Sequence, residues 1–155
     1  MSSEGDALRV WFRLLRLQTR SRMAISNRLR RLDLSVPQCD VLTTLTEREG
    51  LSQQELAERL YVTKGNISGL IDRLVASGLV ERRSLAGDRR SHAIFLTPAG
   101  KTLAQQGIEA QTSFVAQTFA QIAPERLAAF EDMLVELRDL VRLQSQISEA
   151  ESAEV

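Results

Sequence analysis

The chain has 155 residues, of which 43% are hydrophobic and 26% are charged, with 20 basic and 20 acidic side chains. This composition argues against wholesale disorder, and no apolar run reaches the roughly 18 residues that a membrane-spanning helix needs. The polar start Met1-Ser2-Ser3-Glu4 lacks the pattern of a signal peptide, and the single cysteine, Cys39, excludes an intrachain disulfide, so we expect a cytoplasmic protein.

The net charge of zero conceals an uneven distribution of charge along the chain. Residues 1–100 contain 16 Lys and Arg against 11 Asp and Glu, whereas residues 101–155 contain 4 against 9. A polyanion would therefore dock on the first hundred residues.

The first predicted helix spans Ala7 to Leu32, where apolar side chains recur mostly at helical spacing and no Gly or Pro intervenes. It carries eight arginines and no acid between Asp6 and Asp33. These arginines could follow phosphates, pair with the acidic C-terminal helix of the same or a partner subunit, or form a solvated face.

Two capping boxes predict the next helix starts. Ser35 and Ser52 are each followed three residues later by Gln or Glu, whose side chain can cap in return. We expect these helices to end at about Glu47 and Leu60, with Tyr61-Val62 as the turn after the second.

The following helix is capped by Thr63 and ends before Gly78. Its apolar residues recur at i, i+3, i+4 and i+7 and predict a buried stripe: Ile67, Leu70, Ile71 and Leu74. The opposite face contains Gly65 and Gly69, each of which costs a helix about 1 kcal/mol relative to alanine.

A surface helix selected for stability alone would not contain these glycines, whereas a helix that must approach base edges closely would. We therefore interpret this face as a surface that enters the major groove of DNA, the alternative being a glycine-containing helix that faces water. The predicted contact residues on this helix are Thr63, Lys64, Gly65, Asn66, Ser68, Gly69 and Arg73.

A basic hairpin follows, with strand-like runs at residues 79–83 and 93–96 and a turn signal at Gly87-Asp88. Between Glu81 and Arg90 it has four bases and two acids. Its tip suits a narrow minor groove, which attracts arginine, although a merely soluble turn is the alternative. The predicted wing residues are Arg83, Asp88, Arg89 and Arg90, with Asp88 in a structural role.

The C-terminal third predicts two further helices. Thr97-Pro98 starts the first, which runs to about Phe119, and the second runs from Pro124 to about Ile147. The second has a 3-4-3-4 apolar spacing, which is typical of helix-to-helix packing. The residues of this seam are Leu127, Phe130, Leu134, Leu137 and Val141.

Five motifs occur between Leu51 and Lys101: Leu-Ser-Gln-Gln-Glu-Leu-Ala, Val-Thr-Lys-Gly-Asn-Ile-Ser-Gly-Leu-Ile-Asp-Arg-Leu, Gly-Leu-Val-Glu-Arg, Asp-Arg-Arg-Ser and Leu-Thr-Pro-Ala-Gly-Lys. Together they resemble the winged helix-turn-helix of the MarR (multiple antibiotic resistance regulator) family. The flanking helices fit the family's layout, so the resemblance covers nearly the whole chain.

The resemblance implies a mainly α fold with a small β-hairpin wing, a winged helix-turn-helix and a helical dimerisation region. Its parts would be a dimerisation helix at residues 1–34, a DNA-binding domain at 35–100, dimerisation helices at 101–148 and a frayed acidic tail at 149–155. It further implies a homodimer that binds a palindromic double-stranded DNA operator and commonly acts as a repressor, released by a small, often phenolic, molecule.

By this resemblance the family's wing aspartate and minor-groove arginine correspond to Asp88 and Arg90. Each subunit would place residues 63–77 in a major groove and the wing in the adjacent minor groove. We also include in the DNA-binding surface the start of the preceding helix: Ser52, Gln53 and Gln54.

An effector pocket would lie between the first two helices. Its candidate residues are Trp11, Phe12, Arg16 and Asp40, of which the arginine could hold a carboxylate. For Trp11 and Phe12, packing in a core or dimer interface is the alternative.

Cys39 raises a second hypothesis, a repressor that senses oxidants, because it lies in the first turn of a predicted helix. In peroxide-sensing relatives the reactive cysteine belongs to the first helix, which has none here. A buried structural cysteine is the favoured interpretation.

Enzyme function is not predicted, since the only histidine, His92, lacks a nucleophile, metal spacing or phosphate loop to accompany it. We expect no cofactor, no metal and no membrane partner. A winged helix that binds protein instead of DNA remains an alternative, because a fold does not fix function.

Overall fold

The computed structural model describes the backbone of residues 3–85 and 88–153 and the side chains of residues 3–84 and 92–147. It divides into two compact units, residues 1–113 and 114–155. The helices are α1 (Glu4–Leu29), α2 (Val36–Glu47), α3 (Gln53–Leu60), α4 (Lys64–Ala76), α5 (Pro98–Gln117) and α6 (Pro124–Ala153). Short 3₁₀ turns occupy Arg30–Leu32 and Phe119–Gln121. The predicted mainly helical fold with a small β wing is confirmed.

Side-chain caps fix the starts of α2 and α3, as predicted. The Ser35 side chain accepts from the Gln38 backbone N–H at 3.3 Å, while the Gln38 side chain accepts from the Ser35 N–H at 2.9 Å. Ser52 and Glu55 form the same reciprocal pair at 3.2 and 2.8 Å. Each box satisfies two backbone donors that a helix start would otherwise leave unpaired.

The ends of α3 and α4 are equally well defined. Tyr61 ends α3 in the left-handed conformation, with φ at 53°. Thr63 caps α4 through a 3.3 Å bond from the Asn66 N–H. Gly78, with φ at 69°, turns the chain out of α4, as the sequence predicts.

The sheet has three antiparallel strands in the order β1-β3-β2: β1 (Leu51–Ser52), β2 (Val80–Leu85) and β3 (Asp88–Leu96). The β2–β3 hairpin is longer than predicted. The two-residue strand β1 was not predicted, and it pairs Leu51 with Ile94 and Ser52 with Ala93. This pairing ties the base of the hairpin to the residues that start α3.

Apolar side chains from α1 to α5 and all three strands form the core of the first unit. No polar or charged residue among those described is buried. The largest fully buried side chains are Leu29, Leu42, Leu45, Leu51, Leu56, Ile67, Ile71, Leu74 and Ile94. This core supports α4 from behind and leaves its other side free.

The second unit contains the end of α5, a 3₁₀ turn and the 30-residue helix α6, which continues past its predicted end at about Ile147. Up to that residue no side chain of α6 is buried. Over the described residues, none of the helices has the length and apolar character needed to cross a membrane.

Candidate nucleic-acid interface

Helix α4 has two chemically different sides. Ile67, Ile71 and Leu74 are fully buried and Leu70 is 5% exposed, which confirms the predicted stripe. On the other side Lys64, Gly65, Asn66 and Arg73 are exposed, whereas Ser68 and Gly69 are half-buried. The core therefore fixes this helix while its polar face remains available.

No packing contact explains the glycine at position 65. A Cβ added to Gly65 would meet no atom within 4 Å, and one added to Gly69 would meet only the Arg73 Nη1 atom, at 3.7 Å. Alanine would fit at both positions and would favour the helix by about 1 kcal/mol. The smooth face of α4 is thus not a requirement of the fold.

The polar side chains at the start of α3 differ in exposure and in hydrogen bonding. Gln54 is exposed and donates to the Glu58 carboxylate at 3.1 Å. Ser52 is half-buried, and its hydroxyl oxygen already accepts a hydrogen bond from the Glu55 backbone N–H. Gln53 is half-buried and accepts hydrogen bonds from Arg82 at 3.1 and 2.9 Å.

Arg82, which was not among the predicted site residues, joins three elements. From β2 it reaches Gln53 at the start of α3, and its Nη2 atom lies 2.5 Å from the Asp72 carboxylate on α4. The partners lie 29 and 10 residues away in sequence, so no local pattern reveals this junction.

Of the predicted wing residues, Arg83 has a described side chain. The Arg83 guanidinium lies 4.2 Å from the centre of the Phe95 ring and pairs with Glu81, to which its Nε donates at 2.7 Å. A cation over a ring face combined with an ion pair holds this arginine against the strand.

The remaining wing predictions concern the hairpin tip. The backbone of Asp88, Arg89 and Arg90 forms the start of β3, with Leu85 opposite Asp88. Their side chains, and all of Ala86 and Gly87, lie outside the described residues. Their roles remain predictions.

Sequence and structure comparisons identify the protein class. A family model for the MarR family matches residues 32–91. An HTH-type transcriptional regulator of Bacillus cereus, itself uncharacterized, is 31% identical over 140 residues, which cover 90% of this chain and 91% of the relative. The chain belongs to the MarR family.

Solved MarR structures share the fold. A MarR family protein of Mycobacterium tuberculosis in complex with salicylic acid matches with a TM-score of 0.64 and 26% identity, over 88% of this chain and 97% of that chain. A mutant Escherichia coli MarR complexed with operator DNA matches with a TM-score of 0.75 and 23% identity, over 88% and 99%. As a MarR-family regulator, the chain is a DNA-binding transcriptional regulator and not an enzyme.

The predicted effector residues of this MarR protein differ in exposure. Trp11, Phe12 and Arg16 are exposed on α1, whereas Asp40 on α2 is half-buried. Burial raises the pKa of the Asp40 carboxyl, and the charge of Arg22 opposes that rise.

An open cavity of about 390 Å³ lies between α1 and α2, but none of the four predicted residues lines it. Its lining residues are Arg22, Met23, Ser26, Asn27, Arg30, Ser35, Val36 and Pro37. The cavity lies along the C-terminal half of α1, whereas Trp11 and Phe12 lie in its N-terminal half.

Cys39 is fully buried between α2 and α5. The Gln111 side chain donates to its Sγ atom at 3.6 Å, and a Cβ on Gly107 would lie 2.7 Å from that atom. Burial raises the pKa of the Cys39 thiol, the charge of Asp40 raises it further, and the bond from Gln111 opposes both. These contacts favour the packing interpretation over an oxidant sensor.

The buried thiol leads to a direct prediction. We expect native protein to react with a thiol-specific disulfide reagent about a hundredfold more slowly than protein unfolded in denaturant, because the reactive thiolate is both scarce and shielded. Absorbance of the released chromophore measures both rates. Equal rates in the two states would restore the oxidant-sensing hypothesis.

Proposed function

We propose that this MarR protein is a homodimeric repressor that binds a palindromic operator and releases it when a small aromatic acid binds. The observation that carries the proposal is the exposed polar face of α4, backed by a buried apolar stripe and free of bulk at Gly65. Such a helix can lie deep in a major groove without disturbing the core behind it.

The hydrogen-bond donors proposed to contact DNA have different roles. Asn66 and Arg73 are exposed and can pair with adenine and guanine edges or with phosphate oxygens. Lys64, in the first turn of α4, adds a positive charge beside the free backbone N–H groups of the helix start. Arg90 is proposed as the wing's minor-groove contact, as the resemblance to the family implies.

Exposed apolar side chains support a dimer. On α1, Trp11 is 51% and Phe12 49% exposed. On α6 the exposed apolar residues are Met133, Leu134, Val135, Leu137, Leu140, Val141, Leu143 and Ile147. Helices in proteins gain most of their stability by packing an apolar face, so we assign these faces to a second copy of the chain, in keeping with residues 1–34 and 101–148 as the dimerisation helices.

An aromatic acid is proposed as the effector for two reasons. The Mycobacterium tuberculosis neighbour is described as a complex with salicylic acid. In this chain the cavity between α1 and α2 contains two arginines, Arg22 and Arg30, and a guanidinium binds a carboxylate bidentately. Trp11, Phe12, Arg16 and Asp40 stay proposed effector residues around the same helix pair.

Fluorescence anisotropy on the protein's own upstream DNA tests the proposal. We expect Arg90→Ala to weaken binding to every duplex, because it removes one positive charge from the DNA-binding surface. The slope of log affinity against log salt concentration should fall by about one. We expect Asn66→Ala to relax the preference at one base position by about 1–3 kcal/mol.

Arg48→Ala is the matched control, since Arg48 is an exposed arginine outside the contact residues and the dimerisation helices and should leave both quantities unchanged. Sedimentation of the same samples should give the mass of two chains. An absence of DNA affinity at low salt, with the protein folded, would instead favour the protein-binding winged helix.

A further inference from the structure

Arg82 lies where the two DNA-reading parts of the fold meet. Its side chain is 28% exposed, and its Nε and Nη2 atoms lie 3.1 and 2.9 Å from the Gln53 Oε1 atom. The same Nη2 atom lies 2.5 Å from Asp72, whose side chain is 61% exposed. One side chain from β2 therefore connects the start of α3 with the polar side of α4.

The chemistry of the guanidinium fixes how the Gln53 amide is turned. An arginine has only donors, so the amide must direct its oxygen toward Arg82 and its NH₂ group away from it. No described residue accepts a hydrogen bond from that NH₂ group. Gln53 is the first residue of α3, where the helix start itself favours an anion.

The carboxylate of Asp72 would repel DNA. This group belongs to the exposed polar side of α4 and has the same sign of charge as a phosphate. The ion pair with Arg82 offsets that charge where α4 would meet DNA.

We propose that Arg82 is a positioning residue for DNA binding. It neutralises Asp72, and it turns the Gln53 amide so that its NH₂ group donates to a backbone phosphate at the start of α3. This inference rests on the proposed DNA-binding face. Lysine cannot replace Arg82, because an ammonium lacks the planar fork that serves Gln53 and Asp72 together.

A pair of double-mutant cycles tests the proposal by DNA affinity at one salt concentration. We expect Arg82→Met to raise Kd about tenfold, an effect of the size of one or two charge-assisted contacts. Asp72→Asn should then recover about threefold in the Arg82→Met protein but change the wild type by less than about twofold.

The second cycle concerns Gln53. We expect Gln53→Ala to raise Kd about threefold in the wild type and by less than about 1.5-fold once Arg82 is Met, since the amide is then no longer oriented. Arg48→Met is the matched control for loss of an exposed arginine outside the contact residues and the dimerisation helices, and it should leave Kd unchanged. Thermal unfolding of each variant verifies folding, and Arg82→Leu, which likewise removes both the charge and the donors, replaces Arg82→Met in both cycles if the latter does not fold.

Equal effects of Asp72→Asn, or of Gln53→Ala, in both backgrounds would overturn the proposal and make Arg82 an independent contact. Both cycles presuppose that the wild-type protein binds DNA and that this binding weakens as salt is added. A folded wild type without such binding would contradict the proposed function itself, so the two failures are distinguishable.

Discussion

Gly65→Leu is expected to raise the Kd for operator DNA at least about a hundredfold while leaving the protein folded. A Cβ at this position meets no atom within 4 Å, so the leucine costs no packing and improves helix propensity by about 0.5–1 kcal/mol. The added side chain projects from the face assigned to the major groove and keeps α4 away from the base edges. Stability should therefore stay or rise as binding is lost.

Anisotropy and thermal unfolding on the same samples measure the two effects. Gly65→Ala is the matched control, because its Cβ would also meet nothing within 4 Å but it adds no bulk beyond that atom. It should change Kd far less than Gly65→Leu does. A Gly65→Leu protein that binds as tightly as the wild type would show that this face of α4 does not approach DNA.

Gly100→Ala is expected to lower the free energy of unfolding by about 3 kcal/mol or more. A Cβ on Gly100 would lie 2.9 Å from the Leu79 carbonyl carbon and closer still to its oxygen, so backbone must move. The same oxygen accepts the Thr97 backbone N–H at 3.1 Å, and the Thr97 hydroxyl donates to the Gly78 oxygen at 2.6 Å. The substitution thus strains the junction where α4, β3 and α5 meet.

Denaturant unfolding measures this loss as a shift of the midpoint, provided that the m-value is the same in both proteins. Gly5→Ala, the same chemical change at an open helical site, should stabilise the protein slightly. A Gly100→Ala protein that unfolds at the wild-type midpoint would mean that the start of α5 does not sit against Leu79.

Features encoded by neighbouring residues were predictable from the sequence. The capping pairs at Ser35 and Ser52 involve side chains three residues apart, and the buried stripe of α4 follows from helical periodicity alone. These signals are local because each is satisfied within one or two turns of a helix.

Features that depend on distant partners were not predictable. β1 has two residues, too few to show alternation, and its partners Ala93 and Ile94 lie about forty positions later. The Arg82 junction likewise depends on how β2, α3 and α4 pack together. Nor does a run of residue types reveal that Arg83 lies over Phe95.

The pairing of Leu51 and Ser52 with Ile94 and Ala93 has a mechanical consequence. Because β3 pairs both with β2 and with the segment that starts α3, the base of the hairpin cannot hinge away from α3 without breaking those backbone bonds. In the proposed binding mode, the sheet therefore sets the spacing between the α4 and hairpin contacts on the duplex.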